Sequence, residues 1–318
     1  MKFDLAKISP VDINFLKSVP VLADLLKAGW QGLIPWKSLD TPILSLWKST
    51  SIKSLESMFV HELTEHYEYS FPGVFQVRNA YEKQQSLLAI KNKLTAYQMD
   101  DFRYSINKYG LRGNFDLEAT GKSVAFFGCS ITFGVGAAEQ DCFTTLIGKD
   151  LNASVYNFGV PAGSFAKATR YFYLLSQYRS FDYVIFLLPQ VGRLEKPLVK
   201  DNVATVENIA PFQGSDEQYR KQLYTVLDDN FLEYEDLKNL SFCINIAKQT
   251  NAKVYFSSWS PGTYNLIYNF LGPDSGMLLP FFYADTSAEN STFGRDGSHP
   301  GPIGHYNFYK KAMEYINV

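Results

Sequence analysis

The sequence predicts an α/β protein, a three-layer α/β/α sandwich around a mostly parallel sheet, with an N-terminal accessory segment in front of it. Two observations carry this expectation. From Ser123 onward, short apolar runs rich in Val, Ile and Phe alternate with segments whose apolar residues recur at helical spacing, the pattern of parallel strands joined by covering helices. The 318 residues, 46% of them hydrophobic, also suffice to bury such a sheet on both faces.

Residues 1 to about 60 mix apolar clusters such as Val21–Leu26 with Trp30, Trp36 and Trp47 and read as short helices and turns. Their apolar face predicts packing on the main domain or on a protein partner. Alternation over Tyr67–Phe71 and Phe102–Ile106 predicts two strands of a small antiparallel element, with a helix from about Ala80 to Ala96 between them. A polar link from Asn114 to Lys122 places a domain boundary near residue 115, giving an accessory region at 1–115 and the α/β domain at 116–318. In the latter, strands are expected at Val124–Phe127, Ser154–Phe158, Tyr183–Leu188 and Val254–Ser257. Helices are expected at Phe143–Leu151, Ser164–Tyr178, Tyr234–Gln249 and Ile303–Tyr315. The stretch from Glu195 to Asp229 is too long for an ordinary connection and reads as a lid or inserted subdomain.

Composition excludes several classes of function. A net charge of −2 without a dense basic block argues against nucleic acid or an anionic membrane surface as partner. No stretch is long and apolar enough to span a bilayer, and the first residues carry an acid where a secretory signal needs an apolar core, so a cytoplasmic location is the default expectation. Three cysteines with no C-x-x-C pair indicate a reducing compartment and neither a disulfide framework nor a metal site. His61 and His66 are five apart, so on a helix their imidazoles diverge by about 140° and do not form a zinc-protease pair.

Two stretches carry chemistry. The run Val124–Phe127 delivers Gly128-Cys129-Ser130-Ile131-Thr132-Phe133-Gly134 to the carboxyl end of a buried strand, where open α/β sheets place their sites, so Ser130 is presented as a nucleophile. Near the other end, Asp296 and His299 stand three apart in a Gly/Pro-rich loop. That spacing lets the carboxylate fix the imidazole tautomer and leaves Nε2 to accept a serine proton. An Asp that merely caps a turn would look the same in isolation. His305, one turn into the last helix, lacks a local acid and reads as a helix-surface or packing residue. Cys129 reads as a small apolar residue under the site.

These stretches resemble the blocks of the SGNH (GDSL-like) hydrolases: Gly128–Gly134 is similar to Gly-Asp-Ser-x-[Ser/Thr]-x-Gly, and Asp296–Pro300 to the C-terminal Asp-x-x-His. The resemblance covers roughly residues 120 to 318 and implies a flavodoxin-like three-layer fold and a Ser130–His299–Asp296 triad. It implies no cofactor and no metal. Cys129 replaces the family's Asp. Tyr156–Ser164 resembles the second block, whose backbone oxyanion donor falls on Ala162 or its neighbour Gly163. The Asn of the third block is absent from Leu188-Pro189-Gln190-Val191-Gly192-Arg193, leaving Gln190 at or beside its position as an amide donor and Arg193 as an alternative.

The implied function is a serine esterase acting on carboxylic esters, with O-acetyl groups of a polysaccharide as the expected substrate. An O-acyltransferase with the same triad and a non-enzymatic module serving glycan attachment or a larger assembly are the rival readings.

Overall fold

The computed structural model describes residues 46–47, 51–55, 58–59, 73–76, 103–200, 203–209, 227–283, 294 and 299–316. The expected strand at 67–71, the helix at 80–96, and the residues His61, His66 and Asp296 lie outside them. Within the described residues an antiparallel pair, β1 (Gly73–Gln76) and β2 (Arg103–Ile106), precedes the main sheet.

The main sheet contains β3 (Ser123–Gly128), β4 (Ser154–Gly159), β5 (Tyr183–Leu188) and β8 (Lys253–Ser258) in the order β4-β3-β5-β8, every pair parallel. The expectation of a parallel sheet covered on both faces therefore holds. Its strands are continuous apolar runs because neither face meets water: all six residues of β3 and of β5 are buried. One face carries Phe158, Phe127, Phe186 and Phe256 side by side in register, with ring centroids 5.0, 5.1 and 5.2 Å apart along the row. These stacked cross-strand pairs tie the four strands together one or two residues before their carboxyl ends.

The helices are α1 (Ser130–Phe133), α2 (Phe143–Asp150), α3 (Phe165–Ser176), α4 (Asp229–Thr250), α5 (Pro261–Leu271) and α6 (Pro302–Met313). Helices α3 and α4 pack Phe172, Leu175, Leu240 and Ile246 on the phenylalanine face, while α2 and α6 pack Phe143, Ile147, Phe308 and Ala312 on the other. α4 starts earlier than its apolar spacing indicates, because the Asp228 carboxylate accepts from Phe231 N–H at 2.8 Å and caps it. α5 has no counterpart in the sequence expectations; Pro261 opens it at the first helical turn, where no N–H is needed.

Part of the 195–229 insertion is an antiparallel hairpin of β6 (Leu194–Lys200) and β7 (Val203–Ile209). It is fastened to α3 by the buried Arg170 guanidinium, which donates to both oxygens of Glu195 at 2.8 and 3.1 Å. Arg170 also donates to the Leu46 carbonyl at 3.4 Å. Nearby, Phe59 packs 4.4 Å from the Tyr171 ring and lies in the same core as Phe158. The described residues of the 46–59 segment thus pack on the main sheet layer. No helix of the described residues is long and apolar enough to cross a membrane.

Candidate active site

Ser130 opens α1 directly after β3, at the carboxyl edge of the sheet. α1 is a single turn, closed by Phe133 N–H to the Cys129 carbonyl and Gly134 N–H to the Ser130 carbonyl, each at 2.9 Å. It fits only because it rides on glycines: a Cβ at Gly128 would run into the Thr132 side chain and the Leu187 carbonyl, and one at Gly159 into the Phe133 N–H. From β4, Asn157 donates its amide to the Thr132 carbonyl at 2.9 Å and accepts from Gly159 N–H at 2.9 Å. The β4 end thereby holds the turn that carries Ser130.

A second brace comes from before residue 115. Arg112, 1% exposed, donates to the carbonyls of Phe133, Gly134 and Ala137 at 2.9, 2.5 and 2.8 Å, with its guanidinium 4.6 Å from the centre of the Tyr104 ring. Tyr104 accepts Gly136 N–H at 2.7 Å. Gly294 packs on the backbone of Gly136 and donates to the His299 carbonyl at 2.6 Å. One network therefore sets both the turn that carries Ser130 and the backbone of His299.

The outcome is a close approach of two half-buried side chains: His299 Nε2 lies 2.8 Å from Ser130 Oγ. Their roles as acceptor and donor depend on the imidazole tautomer. His305 is elsewhere. It is fully buried, stacked on Phe143 with centroids 5.7 Å apart, and its Nδ1 accepts Phe143 N–H at 3.3 Å. Burial, with the Arg112 and His299 charges nearby, pushes its pKa down to about 3. Of the two readings of His305, surface or packing, the structure takes packing.

The loops beside Ser130 are also defined. Val160-Pro161-Ala162-Gly163 is a β-turn with Pro second and Ala162 third at φ 58, closed by Gly163 N–H to the Val160 carbonyl at 2.8 Å. The Gly163 N–H is thus committed inside the turn, whereas Ala162 N–H makes no hydrogen bond among the described residues. After β5, the chain through Gln190 is fixed by Ser258 Oγ–H to the Leu188 carbonyl and Val191 N–H to Thr263 Oγ1, both 2.9 Å. Gln190 is half-buried. Cys129 is buried, as expected, and its sulfur accepts the indole N–H of Trp259 at 3.3 Å. Trp259 follows β8 at the same edge of the sheet; its signal, an aromatic at the end of a parallel strand, is present in the sequence but not specific.

With the geometry described, comparison with known proteins adds a likeness. No family model matches the sequence, and a search of curated proteins finds no match. Among solved structures, a protein described as lipolytic of the G-D-S-L family from Desulfitobacterium hafniense DCB-2 is 13% identical, with a TM-score of 0.39, over 62% of this chain and 100% of that one. The structure called TesA is 15% identical at a TM-score of 0.42, over 62% and 98%. An acetyl xylan esterase from Butyrivibrio proteoclasticus is 16% identical at 0.37, over 65% of each chain. Likenesses of this size leave the chain's function to be read from its own residues.

Proposed function

We propose that the protein is a serine ester hydrolase of SGNH type, with Ser130 as nucleophile, His299 as general base and Asp296 as the group that orients His299. The observation that carries this reading is the 2.8 Å contact between His299 Nε2 and Ser130 Oγ. In the reaction Ser130 Oγ attacks the ester carbonyl carbon while its proton passes to Nε2, giving a tetrahedral oxyanion. Collapse breaks the bond to the alkoxy oxygen, which takes the proton from Nε2 and leaves as an alcohol. Water, deprotonated by His299, then attacks the acyl-Ser130 ester; collapse breaks the bond to Ser130 Oγ, which takes the proton back from Nε2 as the acid leaves. The oxyanion is received by the N–H groups of Ser130 and Ala162, with the Gln190 amide as side-chain donor. Between Ala162 and Gly163, the first is favoured because the Gly163 N–H already serves the Val160 carbonyl.

The hydrolase unit in this reading is residues 116–318, and residues 1–115 support it through Arg112 and Tyr104. The substrate is an ester on a polysaccharide, with acetyl as the acyl group. A fluorophosphonate probe tests the chemistry: it should label the wild-type protein and not Ser130→Ala, and failure to label correctly folded wild type would return the chain to a non-catalytic module. Acetate release from acetylated xylan, set beside long-chain acyl esters, tests the substrate; turnover of the long chains alone rules out the acetyl reading.

A further inference from the structure

Of the arginines among the described residues, Arg112, Arg170 and Arg179 donate hydrogen bonds within the fold. Arg112 serves three carbonyls. Arg170 holds Glu195. Arg179 donates to the carbonyls of Leu117 and Ala119. Arg193, by contrast, makes no hydrogen bond or ion pair among the described residues. It is half-buried, with its guanidinium 5.6 Å from the centre of the Trp259 ring, and the N–H of that same ring is bonded to Cys129, the neighbour of Ser130. Its backbone is not free to wander. Val191 is tied to Thr263, and Gly192, buried at φ 91, sets the turn into β6. The nearest acid in sequence, Glu195, is turned away to Arg170.

A guanidinium held over an aromatic ring by a cation–π contact spends no N–H donor on it, so its N–H groups remain available to an anion. No carboxylate among the described residues pairs with Arg193, and half-buried cations are normally paired. From this we infer that Arg193, on its Trp259 platform, reads an anionic group carried by the substrate beside the scissile ester, so that the preferred substrate is an ester of an acidic rather than a neutral sugar. The planar fork matches a carboxylate, as in a uronate, and it matches a phosphate by the same geometry. Arg193 acts here as a specificity-determining residue. The inference rests on the ester-hydrolase reading for its location, but its test does not need turnover.

The test titrates the Ser130→Ala protein by calorimetry with a galacturonate trimer, a glucose phosphate and neutral xylotriose, at low and high salt. The galacturonate trimer is expected to bind about tenfold or more tightly than xylotriose, the worth of one charge-assisted hydrogen-bonded pair, with the advantage shrinking in salt. Arg193→Gln in the same background should abolish the preference and Arg193→Lys should keep part of it. Tighter binding of the glucose phosphate than of the trimer would make phosphate the group that Arg193 reads. Equal binding of acidic and neutral sugars, or a preference that survives Arg193→Gln, overturns the inference. In the active protein, Arg193→Gln should lower the ratio of kcat/KM for an acetylated uronate to that for an acetylated neutral sugar. Loss of kcat on both alike, with the ratio unchanged, would make Arg193 an oxyanion donor and also overturn it. An anion preference in a protein that hydrolyses nothing would sink the hydrolase reading and leave the anion subsite standing.

Discussion

Ser130 Oγ and His299 Nε2 meet at 2.8 Å although 169 positions separate them in the chain. Groups that act as one unit are not additive: once one is gone, removing the other costs little more. Ser130→Ala and His299→Ala should each lower ester turnover by about 10³-fold or more, and the double variant should be no slower than the worse single one. The three rates, measured on one activated ester, check this. A double variant slower by the product of the two losses would mean that the two residues work independently.

Ala162 adopts a left-handed conformation at φ 58, where a Cβ costs about 1 kcal/mol and glycine costs nothing. Ala162→Gly should therefore raise stability by up to about 1 kcal/mol, visible as a small increase in melting temperature, and it retains the backbone N–H. Gly163→Ala has the opposite expectation. Its Cβ would stand 2.8 Å from the Val160 carbonyl oxygen, so the turn must open, and stability and turnover should fall together. Turnover that survives Gly163→Ala with a lowered melting temperature would separate the turn from the oxyanion site.

Much of this was legible in the sequence because it depends on local pattern. The buried strands announce themselves as apolar runs, since both faces of a parallel sheet are covered, and Ser130 follows from a glycine placed where such a run ends. What supports the site was not legible. Arg112 and Asn157 act on carbonyls 21 to 25 positions away, and nothing in a residue's type says which distant carbonyl it will serve. Trp259 and α5 were hidden for a related reason: their meaning comes from where β8 ends in space. The hairpin inside the insertion was likewise unmarked, and its attachment to α3 depends on the Arg170–Glu195 pair, 25 positions apart in the chain.

Arg112 allows a sharper test of that supporting shell. Replacing it with Met keeps most of its volume but leaves three inward-facing carbonyls without a donor. The expected cost is about 3 kcal/mol or more, because each buried group left unsatisfied carries its own desolvation penalty. The melting temperature should fall by several degrees. Since the same turn sets Ser130 and abuts the Gly294–His299 contact, fluorophosphonate labelling below the melting transition should slow as well. A destabilised protein that still labels at the wild-type rate would show that Arg112 serves the fold alone.

The pH dependence of stability should show two buried groups pulling in opposite directions. Asp236, buried on α4, has its pKa raised to about 7 by desolvation and by the Glu235 charge. Between about pH 4 and 7 the folded state keeps a proton that the unfolded chain has released, so this group lowers stability as pH rises through that window. Asp236→Asn should remove that slope and raise stability above pH 7, by up to about 4 kcal/mol on the worth of a pKa shift of this size. His305 has the reverse sign. With its pKa held at about 3, the unfolded chain gains a proton below about pH 6.5 that the folded state refuses, and stability falls as pH drops through that range. In the wild type the two slopes partly cancel between pH 4 and 6.5. Asp236→Asn should therefore show a steeper acid-side loss than wild type, and calorimetric melts from pH 4 to 8 would reveal it. Parallel stability curves for the two proteins would mean that Asp236 is ionised in the folded state at neutral pH, with a solvated route that its burial does not indicate.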